Sequence, residues 1–172
     1  VQGDKEKSQQ SLESISLINE KFAGKAFVGA GTVLTTKQVE DAVAAGAEYI
    51  ISPNTDVAVI KKTKELGKIS IPGAFTPSEV VIAHNAGADF VKLFPAGLLG
   101  VEYIKAVRAP LSNILLLAVG GVDVSNVAAF LKAGAAGVGV GGNLVNSKAI
   151  QTGEFFKITQ TASEYVRTIA GV

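Results

Sequence analysis

Three stretches decide the fold of this chain: Ala44-Ala45-Gly46-Ala47-Glu48-Tyr49-Ile50-Ile51-Ser52-Pro53, Asn85-Ala86-Gly87-Ala88-Asp89-Phe90-Val91-Lys92-Leu93-Phe94-Pro95, and Lys132-Ala133-Gly134-Ala135-Ala136-Gly137-Val138-Gly139-Val140-Gly141-Gly142. Each reads as the end of a helix, a Gly whose left-handed backbone stops it, and then a short apolar strand. The same junction recurring at Gly46, Gly87 and Gly134 marks one helix-to-strand module used repeatedly. A repetitive α/β architecture follows.

The helix starts agree. Thr76-Pro77-Ser78-Glu79 is a capping box with Pro at the first helical position, and Thr35-Thr36-Lys37-Gln38 repeats its N-cap and N3 pattern. The spacing predicts strands near 26–30, 48–52, 69–72, 89–94, 114–119 and 137–141, and helices near 9–22, 36–45, 56–66, 77–86, 101–107, 124–133 and 155–169. The strands are continuous apolar runs, as in a parallel sheet buried on both faces. Such alternation fits an open doubly wound sheet or most of a (β/α)8 TIM barrel, although 172 residues fall below the ~200 that barrel usually needs. Polar, Gly and Pro signals at the C-terminal ends of nearly all the strands favour the barrel, whose sites lie at that edge.

Composition narrows the function. The chain is 48% hydrophobic and 18% charged, with mean hydropathy +0.36, which excludes a disordered or low-complexity scaffold. A single domain over 1–172 is expected, with a core large enough to need no disulfide or structural metal. Net charge is +1 and the lysines are scattered, so nothing points to nucleic acid or to an anionic membrane. Cys is absent, which excludes thiolate metal sites and Cys nucleophiles. No apolar run is long enough to span a bilayer and the start is polar, so a cytoplasmic protein is expected. Met is absent even at the start, so the sequence is not expected to be a complete translated reading frame.

Three constellations could carry chemistry. Lys92 stands in the apolar strand Phe90-Val91-Lys92-Leu93-Phe94-Pro95. Burial disfavours its charged form and so favours a nucleophilic amine suited to Schiff-base formation. The alternative is an edge-strand lysine that snorkels or pairs with a carboxylate. Val119-Gly120-Gly121-Val122-Asp123 and Val140-Gly141-Gly142-Asn143 offer bare backbone amides at two strand ends, an anion cradle at the place where barrels commonly hold phosphate. Here the alternative is that Gly only makes room for tight turns. Gly29-Ala30-Gly31-Thr32 places a hydroxyl at the sheet edge but lacks the third Gly of a dinucleotide fingerprint. His84, the lone histidine, suits a helix C-terminus and reads as structural or exposed. With one His and no Cys, no metal is expected, and no cofactor is expected either.

Taken in order, Gly29-Ala30-Gly31-Thr32-Val33-Leu34, Ile51-Ser52-Pro53, Ile71-Pro72-Gly73, Val91-Lys92-Leu93-Phe94-Pro95, Val119-Gly120-Gly121-Val122 and Val140-Gly141-Gly142-Asn143 resemble the class I 2-keto-3-deoxy-6-phosphogluconate and 6-phosphogalactonate aldolases, which include 4-hydroxy-2-oxoglutarate aldolases. The resemblance runs from about Phe27 to the C-terminus. It implies a (β/α)8 barrel, a homotrimer, and cleavage of a 2-keto-3-deoxy-6-phospho sugar acid to pyruvate and glyceraldehyde 3-phosphate. It also implies that Lys92 forms the Schiff base, that Thr32, Pro53 and Phe94 line the pyruvate end, and that Gly120, Gly121, Gly141, Gly142 and Asn143 hold the 6-phosphate. It does not distinguish the gluconate from the galactonate epimer, a choice on which Val119 bears.

The departures lie upstream. The family's catalytic Glu and its carboxylate-binding Arg have no counterpart in this sequence, and Glu13, inside a helix, is not promoted to that role. Val1-Gln2-Gly3-Asp4 is similar to the tail of the family's first strand and Ser8 onward to its second helix, so the first helix and second strand are expected to be missing near Lys5 to Ser8. A stretch absent between two joined segments is the favoured account, because a true deletion would leave an open barrel with two unpaired edges. Two other readings stand beside the aldolase: another phosphate-binding barrel enzyme, such as an isomerase or a thiamine-phosphate-type synthase, and a non-catalytic sugar-phosphate-binding barrel.

Overall fold

The computed structural model describes residues 5–172, with side chains from Lys7 onward. They form two compact units that divide between Lys92 and Leu93.

The first unit begins with α1 (Lys5–Phe22), followed by β1 (Gly29–Ala30), α2 (Thr36–Ala44), β2 (Tyr49–Ile51), α3 (Val57–Glu65), β3 (Ile69–Ile71), β4 (Gly73–Ala74), α4 (Pro77–Asn85) and, at its boundary, β5 (Val91–Leu93). Strands β1, β2 and β3 pair in parallel, with Gly29 opposite Tyr49 and Ile50 opposite Ser70. The core beneath them gathers Val28, Ala30, Val33, Val39, Ala42, Ala47, Ile50 and Val59, and α1 contributes Ile15. Thr76 and Glu79 form the predicted capping box, and Thr35 accepts from Gln38 N. Gln38 departs from the pattern, because its side chain accepts from Leu34 N, one residue before the cap.

The repeated junctions are Schellman motifs. Gly46, Gly87 and Gly134 have φ of 102°, 104° and 100°. In each case the glycine N–H donates three residues back and the next residue's N–H donates five residues back, as in Gly46 to Val43 O at 3.0 Å and Ala47 to Ala42 O at 2.9 Å. Gly67 and Gly153 close α3 and the later helix Ser147–Gln151 in the same way. Their flanking residues lack the Ala-Gly-Ala context, which hides them from a repeat search.

Asp89, just past the second of these junctions, ties α3 to β3. Its carboxylate accepts Lys64 Nζ on both oxygens at 2.7 Å and Ser70 N at 2.8 Å. Asp89→Ala is expected to cost about 2 kcal/mol, because it strands the amide of a buried residue, whereas Lys64→Met costs no more than about 1 kcal/mol. Urea unfolding of the two variants checks the difference.

The second unit contains α5 (Ala96–Arg108), β6 (Leu116–Val119), α6 (Val127–Lys132), β7 (Gly137–Gly139), α7 (Ser147–Gln151) and α8 (Phe155–Ala170). Strands β6 and β7 pair in parallel, Ala118 opposite Val138, and the core holds Ile104, Leu116, Ala118, Val122, Val127 and Phe130. Among the described residues, nothing pairs with the outer edge of β1 or of β7.

Several boundaries differ from expectation. The strand predicted at 69–72 splits at Pro72, which has no N–H to donate, so seven strands replace six among the described residues. α5 starts at Ala96 rather than 101 and bends at Gly100, where φ 77° and ψ 170° break the helix. α7 was not predicted, although Asn146 caps it by accepting Ala149 N at 3.0 Å. α1 begins at Lys5 rather than 9, so residues 5–8, where the missing helix and strand were expected, lie inside one unbroken helix. Val1–Asp4, read as a strand tail, are outside the described residues. No described helix is long and apolar enough to cross a membrane.

Candidate active site

In the first unit, parallel register makes the chain leave β1, β2 and β3 at one edge, and hydrogen bonds stitch that edge together. Val33 N donates to Ile51 O at 3.2 Å, Ser52 N to Ile71 O at 3.2 Å, and Ser52 Oγ to Val33 O at 2.6 Å. The seam continues through Gly73 N to Asn54 O at 3.2 Å, Thr55 Oγ1 to Gly73 O at 2.7 Å, and Lys92 N to Pro72 O at 2.9 Å. Thr32 and Pro53 stand on this seam. Pro53 is half-buried, and its carbonyl packs so closely on Gly73 that a Cβ there would fall onto it.

Thr32 is exposed and has φ 58°, a left-handed conformation that a β-branched residue adopts only under constraint. Gly31 beside it does not take a positive φ, so the strain sits on the residue expected to touch substrate. Such strain costs about 1–3 kcal/mol and clusters at functional sites. No sequence signal marks it.

Lys92 is half-buried between Val91 and Leu93, both fully buried, and strand alternation turns it to the opposite face from them. Burial pushes its ammonium below the ordinary lysine value. Glu13 is exposed on α1 and accepts from Gln9 at 3.2 Å. The carboxylates that follow the strands are occupied as caps. Asp56 accepts Ala58 N and Val59 N at the start of α3, and Glu79 accepts Phe75 N and Thr76 N at the start of α4. The Glu79 carboxyl lies below its usual range, chiefly through its hydrogen bond from the Thr76 hydroxyl.

In the second unit, the loop after β6 is pinned carbonyl by carbonyl. Gly120 O accepts Gly97 N at 2.7 Å, Gly121 O accepts Asn126 Nδ2 at 2.9 Å, and Val122 O accepts Asn143 Nδ2 at 2.8 Å and the Tyr165 hydroxyl at 3.5 Å. Gly121 has φ 76° and its Cα lies against that of Gly97, an approach that side chains would forbid. The Phe94 ring lies over Gly120. Three successive carbonyls of this loop are therefore each held by a protein donor.

The loop after β7 differs. Gly141 and Gly142 are exposed, take no left-handed φ, and have nothing within 4 Å of a Cβ built on them, so tight turning does not explain either glycine. Gly141 O accepts Leu144 N and Val145 N, both at 2.9 Å. The Asn143 amide is spent on Val122, so its side chain acts on the neighbouring loop. Sequence reasoning missed Asn126 and Tyr165, which fall inside the helices predicted at 124–133 and 155–169 with nothing local to mark them. His84 is exposed in the last turn of α4, and among the described residues no cluster of His, Asp or Glu could hold a metal ion.

The model of the KDPG and KHG aldolase family matches residues 6–161. The 2-dehydro-3-deoxy-6-phosphogalactonate aldolase of Escherichia coli K12 is 41% identical over 80% of this chain and 67% of its own length. A solved native KDPGal structure superposes with a TM-score of 0.85 at 36% identity, covering 92% of this chain and 75% of that one. The KDPG aldolase of Legionella pneumophila, solved with pyruvate captured as a covalent carbinolamine intermediate, superposes at 0.79 and 28% identity, covering 88% of this chain and 73% of that one. The chain spans 56–76% of the length of the first curated relatives. An α/β fold of parallel strands with helix-to-strand modules, matched over most of its residues, makes this chain a member of the KDPG and KHG aldolase family, which are carbon–carbon lyases.

Proposed function

We propose that this chain carries class I aldolase chemistry, cleaving a 2-keto-3-deoxy-6-phospho sugar acid to pyruvate and glyceraldehyde 3-phosphate, with Lys92 as the Schiff-base residue. The observation that carries the reading is Lys92 itself, an amine half-buried in an apolar strand and held below its ordinary pKa by that burial. The neutral amine attacks the C2 ketone to give a carbinolamine, and loss of water gives an iminium. A base then takes the C4 hydroxyl proton, the C3–C4 bond breaks into the iminium, and the aldehyde leaves. The resulting enamine takes a proton at C3, and hydrolysis releases pyruvate and frees Lys92. Asp56 and Glu79, held as caps, do not supply the base.

Thr32 and Pro53, on the seam of strand ends, are assigned to the pyruvate end together with Phe94. The backbone N–H groups around Gly120 and Gly121, and around Gly141, Gly142 and Asn143, are assigned to the phosphate. The carbonyl pinning of the first loop and the unexplained openness of the second support this. The galactonate epimer is the first substrate to assay, because the 6-phosphogalactonate relative is the more similar, at 41% identity against 31% for a phosphogluconate one. The family resemblance further supports a homotrimer in the cytoplasm.

Incubation with pyruvate followed by borohydride reduction tests the reading. A stable adduct mapped by peptide mass to Lys92 is expected, and no adduct at Lys92 overturns it.

A further inference from the structure

We infer that Asn126 is a positioning residue for the phosphate end of the site, holding the Gly120–Val122 loop so that its N–H groups face the ligand. The inference rests on the assignment of phosphate to that loop. Asn126 immediately precedes α6, and the turn leading into that helix is capped by Asp123, whose carboxylate accepts Ser125 N and Asn126 N and whose carbonyl accepts Val127 N at 2.9 Å. The Asn126 side chain accepts from no residue of α6. Its Nδ2 instead donates to Gly121 O at 2.9 Å, and its Oδ1 accepts Asp123 N at 2.9 Å. One side chain thus brackets the turn from both sides.

The brace has further members. Asp123 Oδ1 accepts Ser125 N at 2.8 Å and Asn126 N at 3.1 Å, which fixes the backbone from which Asn126 reaches back. The Asp123 carboxyl is held below its usual range, first by the Ser125 hydroxyl, so it stays an acceptor. Tyr165 of α8 is 5% exposed and directs its hydroxyl at Val122 O, the carbonyl that Asn143 also holds. Asp123 and Asn126 thus bond reciprocally, as in a capping box, and the other end of the Asn126 amide is left for the glycine turn. Without the brace, Gly120 and Gly121 would have the widest backbone freedom of any residues, and the N–H groups would lose their common direction.

The test uses the whole chain and inorganic phosphate as probe. Calorimetric titration gives affinity, thermal unfolding gives stability, and borohydride trapping of pyruvate reports the other end of the site. Asn126→Ser loses the bond to Gly121 O and leaves Asp123 as the capping residue. Its phosphate affinity is expected to fall about tenfold, the value of one lost hydrogen bond, with at most a small fall in unfolding midpoint and retained pyruvate trapping. Tyr165→Phe, which keeps the ring in place, is expected to weaken phosphate by a smaller factor in the same direction. Wild-type affinity in both variants overturns the inference, and so does a loss of affinity that tracks a loss of stability. A wild-type chain that traps pyruvate but binds no phosphate overturns the phosphate assignment and this inference together, and leaves Lys92 standing. A chain that binds phosphate but traps no pyruvate overturns the Lys92 reading alone.

Discussion

Lys92→Ala is expected to lower aldol cleavage by about 10⁴-fold or more, the scale on which removing a covalent nucleophile acts, and to abolish pyruvate trapping. Phosphate binding, measured separately, is expected to survive. Retention of full activity would sink the assignment of Lys92. Its burial also gives the reaction a pH signature. The attacking species is the neutral amine, and desolvation lowers the pKa of the folded state. The trapping rate should therefore rise with pH and level off below pH ~10.4, the ordinary lysine value. Stability follows the same sign. Between the lowered folded-state pKa and the ordinary one, the unfolded chain binds more protons than the folded one, so stability increases with pH across that window. Lys92→Met should lack that increase, which urea titrations at several pH values will show.

Gly73→Ala carries the second large effect. A methyl group at this position would land on the Pro53 carbonyl and press on Asn54 N, and both are backbone atoms with hydrogen-bonded neighbours. No flexible side chain can move aside. The expected cost is about 3 kcal/mol, the upper part of the range for overpacking, and a fall in midpoint of roughly 6–12 °C for a chain of this size. The displaced seam also carries Pro53 and, through Pro72, Lys92, so pyruvate trapping should slow in whatever fraction remains folded. Midpoint and trapping rate within error of wild type would show that the seam is more compliant than its geometry implies.

The legible parts of this fold were those written in local chemistry. Schellman glycines, the Thr76 capping box and apolar strand runs each depend on a few adjacent residues, so the order of helices and strands could be read directly. Ends were harder. A parallel strand stops where its neighbour stops donating, a property of two segments distant in sequence, and so 26–30 shrank to Gly29–Ala30. The candidate site divides along the same line. Lys92 and the glycine pairs stand out because a charged residue in an apolar run, or two bare residues together, is anomalous on its face. The strained backbone of Thr32 and the contact of Gly97 with Gly121 arise only on folding. Asn126 falls inside the helix predicted at 124–133, where nothing local shows that its side chain turns back onto the glycine loop.

The near-equal backbone angles at Gly46, Gly87 and Gly134 have a practical consequence. Each of these residues turns the chain into the following strand with the same local geometry, from a helix closed by the same pair of bonds. They are therefore natural crossover points for recombination. A chimaera cut at one of them inherits an incoming segment already aimed along the sheet, whereas a cut at the opposite strand ends would sever the hydrogen-bonded seam on which Thr32, Pro53 and Gly73 sit.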